Sequence, residues 1–141
     1  IDFEFLANKG YEFKKIKDAA SGGEMSRIML SIKSIMAKYK KLPSIIFDEI
    51  DTGVSGEISK KMGTIMKELG SRIQTFSITH LPQIAAMGES HFLIYKNDID
   101  GYTKTMISRL NDSERIVEIA KMLEGNNASE SAYTHAKQLL N

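Results

Sequence analysis

The sequence predicts an α/β fold in which a mainly parallel sheet is flanked by helices. Strand-like and helical stretches alternate between Ser44 and Thr79, and this order favours right-handed crossovers between parallel strands. Two of the strand-like stretches end in groups that can do chemistry, Asp48-Glu49 and Thr79-His80. Because the carboxyl ends of parallel strands meet at one edge of a sheet, we expect function at that edge.

The composition is close to that of an ordinary globular domain. The 141 residues are 42% hydrophobic and 26% charged and include no cysteine, which excludes thiolate chemistry and fits a cytoplasmic location. The net charge of +1 is no electrostatic footprint for nucleic acid. No apolar stretch approaches the ~20 residues of a membrane span. The chain starts in a strand-like sequence without a signal segment, so we expect a piece of a longer protein.

The first half of the chain predicts two strands and two helices. Residues 1–6 alternate apolar and acidic side chains and predict a half-exposed strand, followed by a turn at residues 8–10. A long helix is predicted from Ser21 until Pro43 forbids its continuation. The apolar residues expected to bury its core face are Met25, Ile28, Met29, Ile32, Ile35, Met36 and Tyr39.

A short strand and a second helix are predicted next. Residues 44–47 form a short apolar run without alternation, which is typical of a strand buried on both faces. Ser55 can cap the second helix, and Gly70 ends it. The apolar stripe of this helix comprises Ile58, Met62, Ile65, Met66 and Leu69.

The second half of the chain predicts a strand, a hairpin and three helices. A strand over residues 73–79 precedes a short helix that has Pro82 in its first turn and ends at Gly88. Residues 92–95 and 102–107 predict a hairpin with a longer loop at residues 97–101. Asp112 or Ser113 starts one further helix, and Ser129 starts the last.

Ser21 begins its helix with an unusual pair of glycines. The run Ser-Gly-Gly-Glu is a capping box, in which the Ser21 hydroxyl accepts from the backbone and Glu24 reaches back. Capping does not explain Gly22 and Gly23, since each glycine costs about 1 kcal/mol against alanine in a helix. Bare backbone at a helix N-terminus lets N–H groups approach a phosphate closely. The pair therefore predicts a phosphate-facing helix end.

Asp48 and Glu49 place two carboxylates at the end of an apolar strand. Asp48 is suited to Mg²⁺, which takes one or two carboxylates together with substrate phosphates. Glu49 points elsewhere and can orient and polarise an attacking water as a general base. The alternative is a solvated strand end followed by a turn.

His80 follows the next strand, where an imidazole could contact a terminal phosphate. The alternative is that His80 is hydrogen-bonded scaffolding. His91 and His135 show no partner in the sequence, and we expect structural or surface roles for them. No cluster has the spacing of a zinc site.

The order of these motifs resembles the second half of an ABC-type ATPase head. On that resemblance, residues 21–24 are the signature motif, residues 45–49 the Walker B strand, Asp51 the D-loop aspartate and His80 the switch histidine. Ala20 departs from the general pattern, which has leucine there. Longer strings are similar to the RecN family, bacterial ATPases of DNA double-strand-break repair related to the SMC proteins. These strings are Ala20 to Arg27, Phe47 to Gly56, Thr79 to Ala86 and Arg115 to Leu123.

The resemblance implies Mg²⁺-dependent ATP hydrolysis at a composite site between two heads. Asp48 would serve the metal, and Glu49 and His80 would act in catalysis within the same subunit. Nucleotide-binding roles fall to Asp51 and to the signature residues, which close on the nucleotide of the second head. The implied partners are the N-terminal half of the head, a second head in a homodimer, and DNA through the full-length assembly in the nucleoid. The signature residues are Ser21, Gly22, Gly23 and Glu24.

A phosphate-cradling loop requires a glycine followed by lysine. None of the ten glycines here is followed by lysine. The resemblance implies that the loop lies in the N-terminal half of the head, beyond a long coiled coil. We therefore expect residues 1–141 to be a single C-terminal portion of the head that is inactive alone.

Two other interpretations remain. The chain could be a non-catalytic α/β interaction module whose acidic strand end and glycine turn are structural. It could also belong to the head of another ABC relative, such as a transporter motor. The string from Leu81 to Ala86 argues against a transporter, by resemblance rather than by physics.

Overall fold

The computed structural model describes residues 3–6 and 12–141. The chain divides into two compact units, Ile1–Thr79 and His80–Asn141. The α/β class is confirmed. Among the described residues, strands pair in three two-stranded sheets, of which one is parallel and two are antiparallel.

The first unit begins with two short strands and a short helix. β1 (Glu4–Phe5) pairs antiparallel with β2 (Lys14–Lys15), and α1 (Ile16–Ala19) follows at once. The first predicted strand is thus shorter within the described residues, and neither β2 nor α1 is predicted by periodicity. The predicted turn at residues 8–10 lies outside the described residues.

The long helix is confirmed as α2 (Gly22–Lys40), but its predicted core face is wrong. The buried residues of α2 are Gly23, Leu30 and Ala37, which recur every seven positions and form a narrow stripe. The predicted stripe lies largely toward solvent, and Tyr39 is 78% exposed. The buried stripe contains one large apolar residue, Leu30, and two small ones. Its hydrophobic pattern in the sequence is therefore weaker than that of the face rich in methionine and isoleucine.

The parallel pair of the first unit is β3 (Ser44–Asp48) with β4 (Gln74–Ile78), connected by α3 (Gly56–Gly70). β3 alternates exposed and buried residues, with Ile45 and Phe47 inward. The prediction that β3 is buried on both faces is therefore wrong. Ile46 is 58% exposed and its register partner Phe76 is 47% exposed. Among the described residues, an apolar face of this sheet is left in contact with solvent.

α3 buries only part of its predicted stripe. Met62, Met66 and Leu69 are buried, whereas Ile58 and Ile65 are exposed. Ser55 occupies the cap position as predicted, but its side chain makes no capping hydrogen bond.

The second unit starts with α4 (Pro82–Ala85) and a hairpin of β5 (Phe92–Ile99) with β6 (Tyr102–Arg109). The predicted hairpin is confirmed, but its loop is shorter than expected. Only Asp100 and Gly101 join the strands, both with positive φ, 54° and 77°. Two such residues match the twist of the flanking strands, so pairing continues to the turn.

Two helices complete the second unit. α5 (Asp112–Glu124) is capped by Asn111 rather than by Asp112 or Ser113, and α6 (Glu130–Leu140) is capped by Ser129 as predicted. The Asn111 side-chain oxygen accepts from the Glu114 backbone N–H, and the Glu114 carboxylate accepts from the Asn111 backbone N–H. The capping box therefore starts two residues before Ser113. The core of this unit is formed by Ala86, Ile119, Ala120, Ala132 and Ala136.

Candidate functional site

The N-terminus of α2 is a complete capping box. The Ser21 side chain accepts from the Glu24 backbone N–H at 3.4 Å, and the Glu24 carboxylate accepts from the Ser21 N–H at 2.8 Å. The pKa of Glu24 is lowered first by the hydrogen bond from the Ser21 backbone N–H to its carboxylate, then by the Ser21 side chain, with a smaller contribution from Arg27. Glu24 therefore stays charged at the positive end of the helix macrodipole.

The two glycines after Ser21 have different surroundings. Gly22 is exposed, and a Cβ built on it would have nothing within 4 Å. Gly23 is buried, and a Cβ built there would lie 2.8 Å from the carbonyl oxygen of Gly53. Gly22 thus offers the open backbone that the sequence predicts for phosphate approach, whereas Gly23 is required by close packing.

Asp48 and Glu49 lie where β3 ends, as predicted. Both side chains are exposed. Glu49 has a left-handed backbone, with φ 45°, which is uncommon and costly for a residue other than glycine. Its N–H donates to the Ile78 carbonyl at 3.0 Å, and its carbonyl accepts from the Thr52 N–H and hydroxyl. The carboxylate of Glu49 is therefore displayed from a backbone that its neighbours hold in place.

Asp51 is the buried carboxylate of this region. It is 1% exposed, and the Thr79 hydroxyl donates to its Oδ2. Its Oδ1 has no hydrogen-bond partner within the described part of the chain. Since a buried carboxylate needs hydrogen bonds, the Thr79 contact fixes Asp51 against the end of β4. Asp51 therefore lies away from solvent, unlike Asp48 and Glu49.

The structure brings most predicted site residues into the first unit. Ser21 to Glu24, Asp48, Glu49 and Asp51 all belong to Ile1–Thr79, whereas His80 begins the second unit. His80 is exposed. Across residues 3–6 and 12–141, no three His, Asp or Glu side chains cluster as a metal site would require. One exposed carboxylate, Asp48, nevertheless fits Mg²⁺ when phosphates supply the other ligands.

Sequence reasoning missed two residues of this region, Gly53 and Thr79, as contacts of the site. Gly53 packs against Gly23, and Thr79 binds Asp51 from 28 positions away along the chain. In the sequence these two residues are marked only by where they stand: Gly53 ends the Asp-Thr-Gly turn, and Thr79 ends a predicted strand.

The chain is similar to bacterial DNA repair proteins named RecN. It is 39% identical to the Halalkalibacterium halodurans protein over 140 residues, 99% of this chain and 25% of the relative. It is 41% identical to the Bacillus subtilis protein over the same share of this chain. The resemblance to RecN is confirmed. The chain spans about a quarter of the length of these relatives, and no family model matches it.

Solved structures with a similar fold are SMC head domains. The Smc head domain with a coiled coil and joint from Pyrococcus yayanosii matches 82% of this chain and 21% of its own length, with TM-score 0.64 and 23% identity. The Smc head with an extended coiled coil bound to the C-terminal domain of ScpA, from Pyrococcus furiosus, gives TM-score 0.57 and 28% identity. That match covers 77% of this chain and 27% of the other. The head fold predicted from the motifs is therefore confirmed.

The length and apolar character of the helices bear on whether any of them could cross a membrane. In the part of the chain that the structure describes, none of the helices combines the length and apolar character of a membrane span.

Proposed function

We propose that the chain is the C-terminal part of an ATPase head in a RecN-like DNA repair protein. The observation that carries the proposal is Glu49, an exposed carboxylate on a left-handed backbone at the carboxyl end of a parallel strand. Strained backbone of this kind persists where the surrounding structure holds it, and it is common at functional sites. The likeness to RecN and to SMC heads supports ATP hydrolysis as the reaction.

In this proposal each carboxylate has a separate task. Asp48 would hold Mg²⁺ together with the nucleotide phosphates, which lowers the charge repulsion at the phosphoryl group. Glu49 orients the attacking water and accepts its proton, because its exposed carboxylate can reach solvent while its backbone stays fixed. His80 is assigned the contact with the terminal phosphate.

The N-terminus of α2 is assigned to the nucleotide of a second head. The Ser21 hydroxyl oxygen accepts from the Glu24 backbone N–H. The backbone at Gly22 is open to approach, and a helix N-terminus favours anions. A signature motif acting across a homodimer is supported by this exposure, since Ser21 and Gly22 lie at the surface.

The remaining part of the head is the proposed occupant of the exposed β3–β4 face. This face presents Ile46, Phe76 and Ile78 next to Asp48. About three quarters of each relative lies outside the match, and the phosphate-cradling loop, absent here, is expected there. Elements of that part packed on the sheet would cover the apolar face, and the loop would complete the nucleotide pocket. Contact with DNA is assigned to the full-length assembly.

Steady-state hydrolysis tests the proposal in the full-length protein. Wild type is expected to hydrolyse ATP only with Mg²⁺. The Glu49→Gln variant is expected to lose turnover while ATP still drives head pairing, measured by light scattering after size exclusion. Glu57→Gln is the matched control, because Glu57 is exposed on α3 and forms an exposed ion pair with Lys61. Unchanged turnover in Glu49→Gln would refute the assignment of the base.

A second experiment concerns the chain alone. Calorimetry is expected to show no tight ATP binding, because no glycine-lysine loop is present. Adding the N-terminal half in trans is expected to restore Mg²⁺-dependent hydrolysis. Restored folding without hydrolysis would favour a non-catalytic interaction module instead.

A further inference from the structure

Three segments of the first unit are joined by two side-chain and backbone contacts. The first is the close packing of Gly23, at the start of α2, against Gly53 in the turn after β3. The second is the hydrogen bond from the Thr79 hydroxyl, after β4, to Asp51 in the same turn. The turn therefore stands between the α2 N-terminus and the end of β4.

The turn itself is internally hydrogen-bonded. The Thr52 N–H and hydroxyl both donate to the Glu49 carbonyl, at 3.2 and 2.9 Å, and the Val54 N–H donates to the Asp51 carbonyl at 3.1 Å. A segment tied in this way moves as a unit. Displacement of Asp51 is thus transmitted to Gly53.

The Gly23–Gly53 contact is too tightly packed to absorb such movement. Both sides of this contact are backbone, and the buried Gly23 lies too close to the Gly53 carbonyl oxygen for even a methyl group to fit. Packed interiors transmit displacement rather than absorb it. A shift of the turn toward α2 is therefore passed to the first turn of that helix, which carries Ser21 and Gly22.

We propose that Thr79 is a positioning residue for the composite nucleotide site: its hydroxyl fixes Asp51, and through the turn it fixes the exposed helix end. Thr79 touches neither nucleotide nor water in this scheme. The inference rests on the proposed function for its kinetic consequence, whereas the coupling between Thr79 and α2 is a property of the fold. Removing the hydroxyl leaves a buried carboxylate oxygen without this donor, and the turn must rearrange.

Three substitutions in the full-length protein test the role. Thr79→Val removes the hydroxyl and keeps the shape, and Thr79→Ser keeps the hydroxyl. Thr75→Val is the matched control, because Thr75 lies in β4 and its hydroxyl donates to the nearby Ile73 carbonyl rather than to the turn after β3. The readouts are kcat and KM for Mg²⁺-dependent ATP hydrolysis, and hydrogen exchange of peptides covering the first turn of α2.

The expected result is a split between kcat and KM. Thr79→Val should lower kcat about tenfold or more with KM for ATP nearly unchanged. The reason is that the first turn of α2, which is misplaced in this variant, acts only when the composite site closes. Thr79→Ser and Thr75→Val should stay within about threefold of wild type. Exchange at the α2 N-terminus should be faster in Thr79→Val than in either of the other variants.

The outcomes separate this inference from the proposed function. Wild type without ATPase activity would refute the proposed function, and hydrogen exchange would still decide whether Thr79 holds the α2 N-terminus. An active wild type in which Thr79→Val matches Thr75→Val in kcat would overturn the positioning role. So would a Thr79→Ser variant as slow as Thr79→Val, because the hydroxyl would then not be the cause. Exchange at α2 that is the same in all variants would remove the structural link.

Discussion

The backbone of Gly23 lies against the backbone of Gly53, with room for a hydrogen atom and not for a methyl group. Gly23→Ala should therefore lower the free energy of unfolding by about 1–3 kcal/mol, as overpacking does. Gly22→Ala should not, because its Cβ would have nothing within 4 Å, and alanine favours the helix. Denaturant unfolding monitored by hydrogen exchange of the α2 peptides measures both. Equal stability of the two variants would contradict the packing at Gly23.

The left-handed backbone of Glu49 predicts an inverted preference between glycine and alanine. At an ordinary position alanine is the more stable residue, but a left-handed conformation costs a residue with a Cβ about 1–2 kcal/mol. Glu49→Gly should thus be more stable than Glu49→Ala by about 1 kcal/mol. Exchange protection of the β3 amides reports the difference.

Thr52 provides the comparison for that experiment. It has no positive φ, so Thr52→Ala should be at least as stable as Thr52→Gly. If alanine were also the better residue at position 49, the strain assigned to Glu49 would be absent.

The capping box at α2 predicts an acid-sensitive helix end. The pKa of Glu24 is lowered from 4.5, first by the Ser21 backbone and then by the Ser21 side chain. A lowered carboxyl pKa means that the capping contribution is present above the unfolded value and is lost as pH falls through the folded value. Exchange of the first-turn amides of α2, corrected for intrinsic rates, should therefore rise below about pH 4.5 relative to the helix centre.

Glu24→Gln separates the charge from the hydrogen bond. The amide oxygen of glutamine can still accept from the Ser21 N–H, but it does not titrate in this range. The acid-dependent part of the exchange should disappear in this variant. Its persistence would assign the sensitivity to another group.

His91 is expected to titrate below the usual range of histidine. Burial lowers its pKa most, and the charge of Arg115 lowers it further, while Glu118 raises it. As pH falls from about 6.5, the unfolded chain binds a proton that the folded chain resists, so stability decreases. NMR titration of the His91 ring against an unstructured peptide measures the shift.

Substitutions of the two charged neighbours test the cause. Glu118→Gln should lower the pKa of His91 further, because it removes the favourable negative charge. Arg115→Gln should raise that pKa by removing the positive charge, although it also removes hydrogen bonds to the Gly88 and Glu89 carbonyls. A pKa that moves in the same direction in both variants would rule out the electrostatic part of the explanation.

Most elements of the fold could be predicted because they depend on local signals. Ser21 and Ser129 mark helix starts, Pro43 marks a stop, and the alternation of elements around Asp48 predicts the parallel pair, all of which the structure contains. The core face of α2 could not be predicted, because the methionines and isoleucines that dominate its sequence remain exposed. Which face a helix buries depends on the segments around it, and about three quarters of each of the two RecN relatives lies outside the matched region.

Some features of the candidate site could likewise be predicted from the sequence, and others could not. The positions of the carboxylates at the end of β3 follow from the strand pattern, and the order of motifs gives the family resemblance. The different surroundings of Gly22 and Gly23 do not follow, because an exposed glycine and one packed against backbone look identical in a sequence. The hydrogen bond between Thr79 and Asp51 joins residues 28 positions apart, and no periodicity encodes such a contact.

The exposed pair of Ile46 and Phe76 affects how the protein must be assembled. When the segment that covers this face belongs to the same polypeptide, its effective concentration is set by the connection between the two parts and does not depend on how much protein is present. On a separate chain, the same coverage would vary with expression level and dilution. Linkage within one polypeptide would therefore keep the coverage of this face, though not the pairing of two heads, independent of protein abundance.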